Sequence, residues 1–210
     1  IPLIIYYFES IMSKHNNQNQ NQEQAPEDAN ELIAQLQTKL DDIKASGKQP
    51  YPNTFKRTDY AQDLQTAFDG ISKQEIEDKI ANGEKTQVNV AGRVMLNRGA
   101  FIVIQDMTGR IQLYVARKQL DPETLATIKS LDLGDIVGVS GYIGRSGKGD
   151  LYVHIEALTL LTKALRPMPN KFHGLADVEA RYRKRHLDLM TNETTRDTFV
   201  IRSQVISGIR

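Results

Sequence analysis

Phe101 and Gln112 are the side chains in this sequence best suited to holding a planar, hydrogen-bonding partner. A phenyl ring offers a stacking surface to an unpaired base, and a primary amide carries the donor and acceptor that a base's Watson–Crick edge requires. Stacking contributes about 1–3 kcal/mol per base and hardly separates one base from another, so discrimination would fall to the amide. Arg93, Arg98 and Arg110 are close in sequence and could hold phosphates. The plainer alternative is that Phe101 covers the mouth of a β-structure while Gln112 faces water, since single exposed apolar residues are common.

A second concentration of chemistry is RYRKRH, inside the stretch from Lys171 to Leu189. Such a cluster either grips a phosphate backbone or forms a helix whose charges are neutralised close by. Asp177 with Arg181, Glu179 with Arg183, and Lys184 with Asp188 are each spaced so that one helix brings acid beside base. The expectation is therefore a solvated helix, although each exposed pair contributes only about 0.3–0.5 kcal/mol.

Other chemistries are poorly served. The absence of cysteine removes disulfides, thiolate metal sites and cysteine nucleophiles, and fits a reducing compartment such as the cytoplasm. GRSGKG lacks the spacing of a phosphate-binding loop and joins two expected strands, which argues against nucleotide hydrolysis. His154 and His173 stand alone and read as structural. Neither catalytic nor metal-ligating residues are expected within this chain.

The elements that must position these side chains follow from periodicity. Residues 1–26 contain HNNQNQNQEQ, a low-complexity run expected to be a disordered tail, and Ile1 to Ile11 read as residues upstream of the natural start at Met12. The apolar opening IPLIIYYF is too short to cross a bilayer, and no membrane association is expected. Residues 27–84 form a helical region, with Leu32, Ile33, Leu36, Leu40 and Ile43 at helical spacing and a capping box at Ser72 to Glu75. QPYPNTF reads as extended chain.

From Gln87 the apolar period falls to two. Val88, Val90, Val94 and Leu96 mark a first strand with a bulge or bend at Gly92. AFIVIQD, RIQLYVA, DIVGVSGYIG and LYVHIEALTLL mark four more, with a helix over DPETLATIKSL after the third. Three strands, a helix and two strands are the order of a five-stranded OB barrel, here over residues 85–164. Alternation puts Ile102, Ile104, Ile111, Leu113 and Val115 inside, which turns Phe101, Val103, Gln105, Arg110, Gln112 and Tyr114 outward. The whole is mainly β with N-terminal helices. A formal net charge of +1 provides no global basic field, so any nucleic-acid contact must come from a local face.

The segments AGRVMLNRGAFIVIQDMTGRIQLYVAR, LDLGDIVGVSG and LTKALRPMPNKFHGLADVEARYRKRHLDLMTNETTRDTFVIRSQVISGIR resemble bacterial-type class II lysyl-tRNA synthetases. The likeness runs from about Glu31 to Arg210 and is densest from Leu161 onward. Aspartyl- and asparaginyl-tRNA synthetases share the barrel, but KALRPMPNKFHGL is of the lysyl type.

The resemblance implies that the barrel binds the anticodon loop of tRNA(Lys), with Phe101 matching the aromatic that stacks on the central uridine and Gln112 the amide that reads it. Arg98 matches a basic residue of the first hairpin and Asp150 falls where the family has a glutamate; Arg93, placed near the face by the residue pattern alone, is expected to join them in anticodon binding. Two departures stand out: the segment from Arg93 to Phe101 is short for the family, and the acid at Asp150 is one methylene shorter. His186 stands where the family commonly has tyrosine, with no functional change inferred.

Residues 165–210 are implied to be a linker and the first helices of the catalytic domain, with Phe199, Val205, Ile206 and Ile209 on the opening helix of motif 1, which builds a homodimer interface in the full-length enzyme. ATP, Mg²⁺ and lysine would bind at motifs 2 and 3, beyond Arg210, so this chain alone is expected not to aminoacylate. A free-standing OB-type RNA- or single-strand-binding protein is the alternative from the residues alone. A structural fragment that binds nothing by itself is a third reading.

Overall fold

The computed structural model describes residues 26–169, 175 and 177–210. His173, and the expected tail except for Pro26, lie outside those residues. Five strands, β1 (Gln87–Asn97), β2 (Phe101–Gln105), β3 (Arg110–Tyr114), β4 (Ile136–Arg145) and β5 (Leu151–Thr162), close into a barrel in the order β1-β2-β3-β5-β4. The β3–β5 pair is parallel and all other pairs are antiparallel. Closure leaves no unpaired strand edge.

The alternation read from the sequence is the alternation observed. Ile102, Ile104, Ile111 and Leu113 are inside with Val90, Val139, Val153 and Ile155, while Phe101, Val103, Gln112 and Tyr114 are only half-buried on the outer wall. The irregularity of β1 falls between Val94 and Leu96, not at Gly92. Gly92 is instead a point of close approach, where a Cβ would lie 2.8 Å from the Gln105 carbonyl oxygen. Gly138 plays a similar part on β4, leaving room for the Phe55 ring.

Helices α1 (Pro26–Ala45), α2 (Ala61–Ala67) and α3 (Lys73–Ala81) precede the barrel, and α4 (Pro122–Ser130) lies between β3 and β4. On α1, Leu36 and Leu40 are buried as its periodicity requires. The capping box of α3 is formed in full: the Ser72 side chain accepts from Glu75 N–H, and Glu75 accepts from Ser72 N–H at 2.7 Å. The Asp121 carboxylate caps α4 by accepting from Thr124 N–H at 2.8 Å. Short α2 has no comparable local signal. Its first N–H is satisfied from a distance by the Asp106 carboxylate in the β2–β3 turn, which accepts from Ala61 N–H at 2.7 Å.

Beyond the barrel lie α5 (Val178–Arg183), α6 (Arg185–Thr191) and α7 (Glu193–Ile209). The single helix expected across RYRKRH is broken at Lys184, whose φ of −113° and ψ of 50° end α5 and start α6. Of the three expected ion pairs only Glu179–Arg183 forms, at 2.7 Å. Asp177 is occupied in capping α5. Buried Asp188 takes Arg181 at 3.1 Å and Arg185 at 2.6 Å rather than Lys184. The three arginines of the cluster are thus paired, Arg183 within α5, Arg185 within α6 and Arg181 across the break.

Candidate nucleic-acid interface

Phe101 opens β2 and Gln112 is central in β3, so the alternation that buries Ile102 and Leu113 turns both outward on one wall. Phe101 lies opposite Tyr114 and Gln112 lies opposite Val103, which places ring and amide on adjacent rows of the same sheet face. Neither enters the hydrophobic interior. A stacking surface and a hydrogen-bonding edge are thus presented side by side to solvent.

Gln112 also lines an open cavity of about 360 Å³ whose walls include Asp150, Arg110, Gln65 and Arg145. Asp150 sits in the tight β4–β5 connection, where its N–H donates to Ser146 Oγ at 3.0 Å and its carbonyl accepts from Ser146 N–H at 2.8 Å. Arg145 secures this connection from below, donating to the Gly149 carbonyl and to the Phe68 carbonyl, both at 2.6 Å. Gln112 and Asp150, distant in sequence, therefore share one cavity.

The arginines separate. Arg98 is exposed in the β1–β2 turn, where its N–H donates to the Phe101 carbonyl at 2.9 Å, so its backbone is anchored beside the stacking ring despite the short hairpin. Arg110 reaches Gln105 Oε1 at 2.8 Å and Glu193 at 3.3 Å while its side chain borders the Gln112 cavity. Arg93 is not brought to the ring and amide. It pairs with Gln105 at the other end of β2, donates to the Gly134 carbonyl at 2.8 Å, and lines a separate cavity with Met95 and Met190.

Two features went unread in the sequence. Arg117 is exposed, and its guanidinium approaches Gly99 in the turn that carries Arg98, adding a second cation near Phe101. The other is a row of rings. Phe101, Tyr114, His154 and Tyr142 are register partners in turn across β2, β3, β5 and β4. Neighbouring centroids along the row are 5.2, 5.5 and 4.5 Å apart. Tyr152 joins from the next row, its ring lying where a side chain on Gly144 would stand. Burial holds the His154 imidazole below its ordinary pKa, so its ring is neutral at physiological pH, and its Nδ1 has no hydrogen-bond partner among the described residues. The only available signal was the outward parity of aromatic residues on separate strands.

Among the described residues no group of three or more His, Asp or Glu side chains is placed to hold a metal ion, and no helix is long and apolar enough to cross a membrane. The polar groups on this wall can bind and orient a planar ligand.

Comparison with known proteins agrees with the barrel fold. Residues 88–161 match the family of OB-fold nucleic acid binding domains. Over 201 residues, 95% of the chain, it is 90% identical to the lysine–tRNA ligase of Psychrobacter arcticus, of which those residues make up 39%. Over 185 residues it is 65% identical to the lysine–tRNA ligase of Acinetobacter baylyi, covering 86% of this chain and 36% of that protein. The chain thus spans less than half the length of these relatives. At this identity across nearly all of its own length, the chain is similar to a portion of these lysine–tRNA ligases, and its residues 88–161 are an OB-fold nucleic acid binding domain.

Proposed function

We propose that the outer wall of this barrel binds the anticodon loop of tRNA(Lys). Phe101 stacks on a splayed-out central uridine, the Gln112 amide reads its Watson–Crick edge, and Asp150 contacts the neighbouring loop from the shared cavity. Arg98 supplies phosphate attraction at the turn. Arg93, tied to the Gly134 carbonyl away from the ring, has a structural task in this reading. The observation that carries the proposal is the side-by-side projection of Phe101 and Gln112 from adjacent rows of one face.

The full-length protein, in this proposal, acts in the cytoplasm, activating lysine with ATP and Mg²⁺ and transferring it to tRNA(Lys). No step of that chemistry is assigned to residues of this chain, whose contribution is identity: it brings the correct tRNA and positions its anticodon. Residues 165–210 then form the linker and the start of the catalytic unit. The exposed Val205, Ile206 and Ile209 of α7 support that assignment, because an apolar helix face of this kind suits burial in a homodimer.

The test is equilibrium binding of a uridine-rich anticodon stem-loop at stated salt. Phe101→Ala should weaken binding by about 1–3 kcal/mol, the value of one stacked base. Gln112→Ala should also weaken it and, unlike Phe101→Ala, should relax the preference for uridine over cytidine. Equal affinities for wild type and both variants would remove the assignment.

A further inference from the structure

The ring row extends well past Phe101. Tyr142 stands three strands away on β4, and adjacent strands are about 4.8 Å apart, so a single base resting on Phe101 cannot also cover Tyr142. The far end is organised. His154 backs the Tyr142 ring at 4.5 Å with only 11° between planes, which leaves the tyrosine little freedom to turn. Lys85, just ahead of β1, places its ammonium 4.6 Å from the Tyr142 centroid.

We propose that Tyr142 is a second stacking platform for the same RNA, taking an unpaired base that flanks the one held at Phe101, with Lys85 attracting the phosphate on the far side of that second base. This rests on the anticodon reading of the wall and extends it from one captured base to two. The occupant is a nucleotide for three reasons. The row is continuous with the face proposed for Phe101 and Gln112. Its members are rings, which accept any base's π-face. The cation sits at its far end, where a following phosphate would lie.

The balance of competing contacts favours the base. Lys85 must leave the ring face to admit it, but an exposed cation–π contact is the weaker of the two interactions, and the freed ammonium can pair with phosphate. Burial, with the Glu156 carboxylate adding to it, raises the Tyr142 hydroxyl above its ordinary pKa, so the ring stays neutral and does not repel the backbone. Glu156 itself is exposed, on β5 beyond His154, and its charge disfavours a phosphate on that side, leaving the Lys85 side open.

The experiment uses the 210-residue chain and a uridine-rich anticodon stem-loop with 2-aminopurine at each position flanking the central uridine in turn. Stacking on Tyr142 should quench the probe at one flanking position in the wild type. Tyr142→Leu, which retains bulk but no ring, should abolish that quenching and weaken affinity about five- to a hundredfold. Tyr142→Phe should keep both. Phe101→Ala should lower affinity yet preserve the flanking quench once the protein is saturating. Absence of quenching at every flanking position in the wild type overturns the second platform, even if Tyr142→Leu fails to fold. Unchanged quenching and affinity in a folded Tyr142→Leu, with Phe101→Ala weakened, also overturns it and leaves the anticodon reading intact. Unchanged affinity in Phe101→Ala and Gln112→Ala removes the anticodon reading itself, and the second platform with it.

Discussion

Replacing Lys163 by methionine tests the most deeply buried charge pair of the fold. The Lys163 ammonium lies 2.7 Å from Asp135 at the exit of β5, and both side chains are almost fully excluded from solvent, at 1% and 0% exposure. Asp135 also accepts from Asp132 N–H and Ala164 N–H, each at 2.8 Å, so it ties the turn before β4 to the segment leaving the barrel. Asp132 shares Lys163 but is partly exposed and has its own partner in Lys39 of α1 at 2.7 Å. Lys163→Met leaves the Asp135 carboxylate buried without a counter-charge, a change that costs about 3–5 kcal/mol.

For a chain of this length that corresponds to a fall in Tm on the order of 10 °C. Asp132→Asn leaves the buried pair intact and should cost no more than about 1 kcal/mol. The double variant Lys163→Met/Asp135→Asn removes both charges and should be more stable than the sum of the single losses allows. Urea unfolding at neutral pH measures the wild type, these three variants and Asp135→Asn, whose single loss completes the comparison. A loss below about 1 kcal/mol for Lys163→Met, or additive losses in the double variant, would refute the uncompensated-charge reasoning.

Two further outcomes concern pH. Burial opposes ionisation of Asp106, but hydrogen bonds from Ala61, Thr108 and Gly109 outweigh it and hold its pKa below the ordinary carboxylate value. A depressed carboxylate contributes stability that is present above its unfolded-state pKa and lost as the pH falls through its folded-state pKa. Asp106→Asn should therefore be less stable at neutral pH by about 1–3 kcal/mol and lose less on acidification; unfolding curves parallel to wild type at all acid pH values would contradict this. His154 is depressed chiefly by burial, so its contribution is complete above the unfolded-state value and declines as the pH falls through the folded one. His154→Phe, which keeps the ring row, should flatten the stability profile on the acid side of neutrality, as read by denaturation across pH.

Much of the barrel was legible because its signals are short-range. An alternating strand must put Ile102 and Ile104 on one side and Phe101 and Val103 on the other, whatever follows in the chain. The capping box at Ser72 and the Asp121–Pro122 start of α4 are likewise decided within a few residues. Helix α2 was not legible, because its initiating acceptor is Asp106, far along the chain. The helix over RYRKRH was legible as a charge-paired element but not as a broken one, since buried Asp188 of α6 draws Arg181 of α5 across the break at Lys184.

By itself, then, the sequence determined the strands, the faces they bury and the outward direction of Phe101 and Gln112, because side-chain alternation is a property of each strand alone. Only the tertiary structure decided which outward residues become neighbours. Barrel closure and the parallel β3–β5 pairing bring Asp150 into the cavity of Gln112, align Phe101, Tyr114, His154 and Tyr142 in one row, and leave Arg93 apart. Those registers depend on contacts between strands distant in the chain, and no local pattern of residues encodes them.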